Sequence, residues 1–311
     1  MLNHEVTLMR KSLCILLLIV LLPCFSSAET IVTSFYPIWL MALNLTQGMD
    51  GVEVCNLAAP TTGCLHDYQL QVADMKLLAR ADCFLINGAG MESFLPLLKD
   101  AFPSLPIVQA SDGIPLLKET DSLQIGESEQ KDSEEAEVNA HLWLDAARAS
   151  MMAENLAAGI ITVLPAQADR VRANLAAFQA RLLSLDEQLR IGLSGLSRRE
   201  IVTFHEAFPY FAEAYGLDVV AIVNREPGEA LSPSQLADLA RKVASLGNPP
   251  LFVEPQYDSL NARTLSAETG AAVYFLDPVV TGPEENVPLD YYETVMLRNM
   301  GTLQEALSAQ P

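Results

Sequence analysis

The 311-residue chain has four histidines, and three of them, His66, His141 and His205, fall where apolar runs end; His4 lies in a leader-like N-terminus. The three are too far apart for a zinc finger or for two ligands on one helix face, so shared chemistry requires a site assembled from several strand ends. Neutral imidazole is the commonest metal-ligating side chain. Three imidazoles with one carboxylate make a closed four-coordinate site suited to zinc. Asp277 follows the apolar run Val-Tyr-Phe-Leu in the same half as His205 and can supply that carboxylate. A single histidine near a strand end is more often structural, and an Asp before Pro278 can be only a turn residue. Three histidines at equivalent topological positions favour a common site.

Such a site needs strands to carry it. Strand-like runs at 31–34, 52–57, 83–87 and 106–109 alternate with helical patterns at 37–47, 72–81 and 91–101, the βαβα rhythm of a parallel sheet flanked by helices. Between Lys118 and Asn139 the chain turns acidic, lacks aromatic residues and loses apolar periodicity, which predicts a mobile solvated loop. Asp145 is placed to cap a helix over 146–164. From Pro165 to about residue 193 a second helix carries Val171, Leu175, Phe178, Leu182, Leu185 and Leu189 on one stripe, long enough to act as a stiff spine. The alternation then resumes, with strands at 201–204, 219–222, 251–254 and 272–276, helices at 206–215, 234–246 and 260–268, and a last helix at 291–307. The predicted fold class is α/β: two lobes, each a mainly parallel sheet flanked by helices, joined by one long rigid helix. The lobes are assigned to 29–164 and 195–311 and the link to 165–194, with two compact cores. In open α/β sheets ligands bind outside the carboxyl ends of the strands, so all four residues can converge on a cleft between the lobes.

Arg10 and Lys11, the apolar run 13–22 and the small residues up to Ala28 predict a signal peptide over 1–28. Cys24 as a lipidation site is the weaker alternative, because Pro23 fits that peptidase poorly, and the apolar run is too short for a transmembrane anchor. A formal charge of −20 argues against nucleic acid or anionic lipid as partners. Beyond the leader stand Cys55, Cys64 and Cys83. A Cys55–Cys64 disulfide closing a short loop is expected, with Cys83 a buried thiol. The rival role for Cys64, two residues before His66, is that of a zinc ligand.

Leu-His66-Asp-Tyr, His141-Leu-Trp-Leu-Asp145, the stretch from Phe-His205-Glu-Ala-Phe-Pro-Tyr to Tyr-Gly-Leu, Phe-Val-Glu254-Pro-Gln and Leu-Asp277-Pro occur in that order. From about Ile31 to the C-terminus the chain resembles the metal-binding substrate-binding proteins of bacterial ABC transporters, the zinc and manganese family, solute-binding protein family 9 (cluster A-I). The resemblance implies two α/β lobes on one rigid helix, a metal buried between them and delivery to a membrane permease, with a monomer, periplasmic or cell-surface associated, as the working form. It also implies the ligands: His66, His141, His205 and Asp277. Manganese-type members typically have Glu at the position of His205, so a third imidazole favours Zn2+ over Mn2+. The acidic segment stands where many zinc members carry a His-rich loop.

No enzyme is expected. A secreted zinc hydrolase would need an open coordination position and a neighbouring base, and although Glu206 and Glu254 are candidates, the residues after His205-Glu206 do not make a His-Glu-x-x-His helix. A metal-stabilised adhesin is the reading from a third class.

Overall fold

The computed structural model describes residues 28–65, 68–118, 138–223 and 232–308. The predicted leader apart from Ala28, His66, and residues 119–137 of the acidic segment lie outside the described residues.

Every predicted strand forms. β1 (Glu29–Thr33), β2 (Val52–Asn56), β3 (Cys83–Ile86) and β4 (Ile107–Gln109) make a parallel sheet in the order β2-β1-β3-β4. β5 (Glu200–Thr203), β6 (Asp218–Ile222), β7 (Leu251–Val253) and β8 (Val273–Phe275) repeat it as β6-β5-β7-β8, also parallel. Parallel strands covered on both faces need apolar residues throughout rather than in alternation. Accordingly β3 and β7 are buried at every position.

The helices are α1 (Tyr36–Leu45), α2 (Val72–Leu78), α3 (Leu95–Ala101), α4 (Ala146–Val163), α5 (Ala168–Ser194), α6 (Pro209–Tyr215), α7 (Pro233–Ser245), α8 (Leu260–Thr269) and α9 (Tyr291–Leu307). Asp145 caps α4 as expected, its carboxylate accepting from the Ala147 N–H at 2.9 Å. Two helices start later than predicted. α6 begins at Pro209 rather than 206, and α3 at Leu95 rather than 91, each with proline in its first two positions. Proline is favoured there because it has no N–H to lose.

The 27 residues of α5 follow a short 3-10 turn, Pro165–Gln167, and span about 40 Å. Val171, Phe178, Leu182, Leu185, Leu189 and Leu193 form its buried stripe. Polar contacts fix it to both halves. Asn174 donates to the Leu45 and Gln47 carbonyls, Arg190 to the Ala214 carbonyl, and the Arg181 guanidinium bonds Glu293 of α9 at 2.8 Å. Gly192 lies under Met300 and Gln304, where any Cβ would collide, so α5 and α9 can approach closely.

Two apolar clusters are present among the described residues, and they differ greatly in size. One apolar cluster runs from the first sheet through α4, α5 and α9 into α6 and the near face of the second sheet. A smaller cluster, Val202, Ala221, Val223, Leu239, Val243, Leu251, Leu265 and Ala271, fills the far face under α7 and α8. The spine helix and α9 bury apolar stripes against both halves, and that joins what pattern alone would divide.

Candidate metal centre

His205 follows β5 by two residues and is 3% exposed; His141 is 2% exposed. His141 does not end a strand as predicted. It precedes the 3-10 turn Leu142–Leu144, in a segment that re-enters the fold through a Lys118–Val138 bridge and an Asn139 N–H to Leu117 carbonyl bond. The two imidazoles meet across the halves of the molecule, Nε2 to Nε2 at 3.2 Å. Cys64 Sγ stands 3.5 Å from the same His141 Nε2. Cys64, His141 and His205 offer donor atoms that all lie within 4.8 Å of one another.

Asn139 decides which His141 nitrogen is available. Its amide is oriented by two bonds that can run in only one direction: Nδ2 donates to the Glu206 carbonyl at 2.8 Å, and Oδ1 accepts the His141 N–H at 2.9 Å. Oδ1 is also 3.2 Å from His141 Nδ1. An amide oxygen can only accept, so Nδ1 carries the proton and Nε2 presents a lone pair toward His205 and Cys64. The Tyr210 hydroxyl, on α6 of the second half, donates to the Asn139 carbonyl at 2.8 Å and accepts the Leu117 N–H at 2.9 Å. It therefore holds both sides of the acidic segment's base.

Trp143 backs the site. Its ring centroid lies 5.1 Å from that of His141 and 5.2 Å from that of Phe35, and its indole N–H donates to the Pro278 carbonyl at 2.7 Å. The loop after β2 closes the other side. Gly63, at φ +86, passes beneath the Tyr257 hydroxyl, where a Cβ would be both strained and crowded.

Asp277, two residues past β8, is buried and accepts the Val279 N–H on Oδ1 at 2.8 Å; Asn299 holds its backbone on both sides. It is outside the group of donors that close on His141. Burial raises its pKa against the opposing effects of that N–H and of Arg298. Glu254, directly after β7, is pushed well above the carboxylate range by burial and then by the Asp277 charge, with the Gln256 amide opposing. Burial and, for Glu254, the neighbouring Asp277 charge thus favour the protonated form of both carboxyls at this end of the second sheet.

The expected Cys55–Cys64 disulfide is not formed: none of Cys55, Cys64 and Cys83 is in a disulfide. Cys55, in β2, sits 3.9 Å from the Arg80 guanidinium, whereas the Cys64 sulfur faces His141. Cys83 is buried as expected, and burial pushes its thiol up to about 12. Sequence reasoning ranked Cys64 below a disulfide half and missed Asn139 and Trp143. The available signal was proximity, since Asn139 and Trp143 each stand two residues from His141.

Two parallel sheets of one strand order, joined by a long helix and meeting at a shared cluster of imidazoles, define a two-lobe binding protein. The chain belongs to the family described as zinc-uptake complex component A, periplasmic, whose profile matches residues 31–306. It is similar to the zinc-binding lipoprotein AdcA of Streptococcus pneumoniae, at 27% identity over 97% of this chain and 60% of that protein. It is also similar to the high-affinity zinc uptake system protein ZnuA of Haemophilus ducreyi, at 26% identity over 80% of this chain and 84% of the relative. Among solved structures, a zinc-bound ZnuA deletion mutant superimposes with a TM-score of 0.74 at 26% identity, covering 91% of this chain and all of the other. The chain spans about 60% of the length of the AdcA relative. No helix of the described residues is long and apolar enough to cross a membrane.

Proposed function

We propose that the protein captures Zn2+ outside the cytoplasm, in the cleft between its two lobes, and delivers it to the permease of an ABC transporter. The observation that carries this reading is the meeting of the buried His141 and His205 Nε2 atoms at 3.2 Å, one from each half of the molecule. The ligand candidates read from the sequence are His66, His141, His205 and Asp277; the lobes are 29–164 and 195–311, joined by 165–194. A signal peptide over 1–28 directs export, the mature chain acts as a monomer, and it is a carrier rather than an enzyme. Support for the last point is local: Pro209 starts α6, so Glu206 lies in a turn and not on a helix beside a second histidine. Neutral imidazoles suit zinc better than manganese, which prefers oxygen ligands. The test is elemental analysis of protein purified without added metal, followed by zinc and manganese titration against a competing chelator. One tightly held zinc per chain, bound more strongly than manganese and released as protons compete for imidazole in mildly acidic buffer, is the expected result. Two tight zinc ions per chain, or a preference for manganese, would overturn it.

A further inference from the structure

We propose that Cys64 is itself a ligand of the transported ion, its sulfur completing a nitrogen and sulfur site in place of Asp277; this rests on the zinc reading above. The argument is geometric. Tetrahedral zinc with Zn–N of about 2.05 Å and Zn–S of about 2.3 Å separates two nitrogens by about 3.3 Å and a nitrogen from a sulfur by about 3.5 Å. The corresponding separations here are 3.2 Å for His141 Nε2 to His205 Nε2 and 3.5 Å for Cys64 Sγ to His141 Nε2. An N–H···N bond and an S–H···N bond would each account for one of these distances, but His141 Nε2 has a single lone pair and both contacts converge on it, as donors around a shared ion do.

Three further observations converge. The lone pair of His141 Nε2 is aimed into the group, because Asn139 holds the proton on Nδ1. Cys64 is not tied to Cys55, and its loop is pressed against the second half at Gly63 and Tyr257. Asp277 lies outside the group and has one oxygen engaged by the Val279 N–H. A closed zinc site takes four ligands, so a sulfur that enters displaces another candidate, and Asp277 is the described one outside the cluster. When the Zn–S bond forms the sulfur contributes its electron pair and the thiol proton passes to water. A thiolate also deepens the preference for zinc over manganese, since soft sulfur favours the former.

Cobalt(II) reports on this directly, because sulfur bound to cobalt adds a near-ultraviolet charge-transfer band to the visible bands of a tetrahedral ion. Cobalt-loaded wild-type protein should show both sets of bands. Cys64→Ser should keep visible bands, lose the near-ultraviolet band and bind zinc more than about 100-fold more weakly, beyond the range expected for loss of a residue that merely supports a ligand. Asp277→Asn should keep the near-ultraviolet band. Wild-type cobalt protein without that band, a band that survives in Cys64→Ser, or a smaller loss of zinc affinity overturns the sulfur ligand and leaves the zinc carrier standing. Wild-type protein that binds neither cobalt nor zinc overturns both. The wild-type spectrum does not depend on how well any variant folds.

Discussion

The carboxyl edges of the two sheets have the same strand order and opposite contents. Past β5, β7 and β8 the second sheet presents His205, Glu254 and Asp277; at the matching positions past β1, β3 and β4 the first presents Phe35, Asn87 and Ser111. None of the latter three is a metal ligand in the proposed site. Phe35 packs edge-on against Trp143, and Asn87 donates to the carbonyl of Ala140, next to His141. The first sheet thus supports loops that carry Cys64 and His141, while the second carries its candidate donors on the strand ends themselves. Strand ends are fixed by the hydrogen-bonded sheet, whereas loops are the parts of a fold that can open at low cost.

The largest expected effect falls on both sides of this contrast. His205→Ala and His141→Ala should each weaken zinc by more than about 100-fold, because each removes a donor from a closed site. The pair of substitutions should abolish tight binding in a chelator competition. A mild loss from His141→Ala beside a severe one from His205→Ala would mean that the loop donor is dispensable and the two-sided site is wrong.

Next comes a buried carboxyl at the first sheet. Glu92 accepts the N–H groups of Asn87 and Gly88 at 2.8 and 3.0 Å, fixing the strand end that holds Ala140. Burial outweighs those bonds and raises its pKa from 4.5 to about 7. Below pH 4.5 the folded and unfolded chains both carry the proton. As pH rises toward 7 the unfolded chain ionises first, so folding loses stability through that window, by a limit on the order of 3 kcal/mol, and the loss levels off above it. Glu92→Gln cannot titrate, so wild-type stability relative to this variant should fall between pH 4.5 and 7 in denaturant melts. A flat difference would show that the folded carboxyl ionises normally.

Asn139→Ala should cost about 10–100-fold in zinc affinity, the range for losing a group that orients a metal-bound imidazole. Asn139→Asp should recover much of that loss, because a carboxylate oxygen can still accept from His141 Nδ1. Equal damage from both would place the role of Asn139 in its bond to the Glu206 carbonyl instead.

Much of this was legible in the chain. The eight strands, the spine and the last helix follow from apolar runs and periodicity, because parallel strands and long amphipathic helices write their burial directly into composition. The placing of His205 and Asp277 past β5 and β8 followed from the rule that binding sites gather at strand ends, whereas His141 arrives on an irregular segment before a 3-10 turn. What could not be read were contacts set by loop paths: that Cys64 faces His141 rather than Cys55, that Asn139 fixes an imidazole proton, and that Trp143 reaches Pro278. None of these has a period, and each depends on where a short irregular segment crosses the other half of the molecule.

The smallest expected effect separates the two thiols on either side of that loop. Cys55 lies on β2, partly exposed beside Arg80, and Cys64 at the cleft, although only a short loop lies between them. If the sulfurs stay apart, Cys55→Ser should leave zinc affinity unchanged within about twofold and stability within about 0.5 kcal/mol, the usual range for a surface substitution. Thiol titration of unfolded, metal-free mature protein should then count all three cysteines. If they were joined, the same change would remove a crosslink worth about 2–4 kcal/mol, and the wild-type protein would show one reactive thiol before reduction. The thiol count therefore decides whether the sulfur beside His141 is available to a metal at all, and a count of one would remove the loop donor from the comparison between the two lobes.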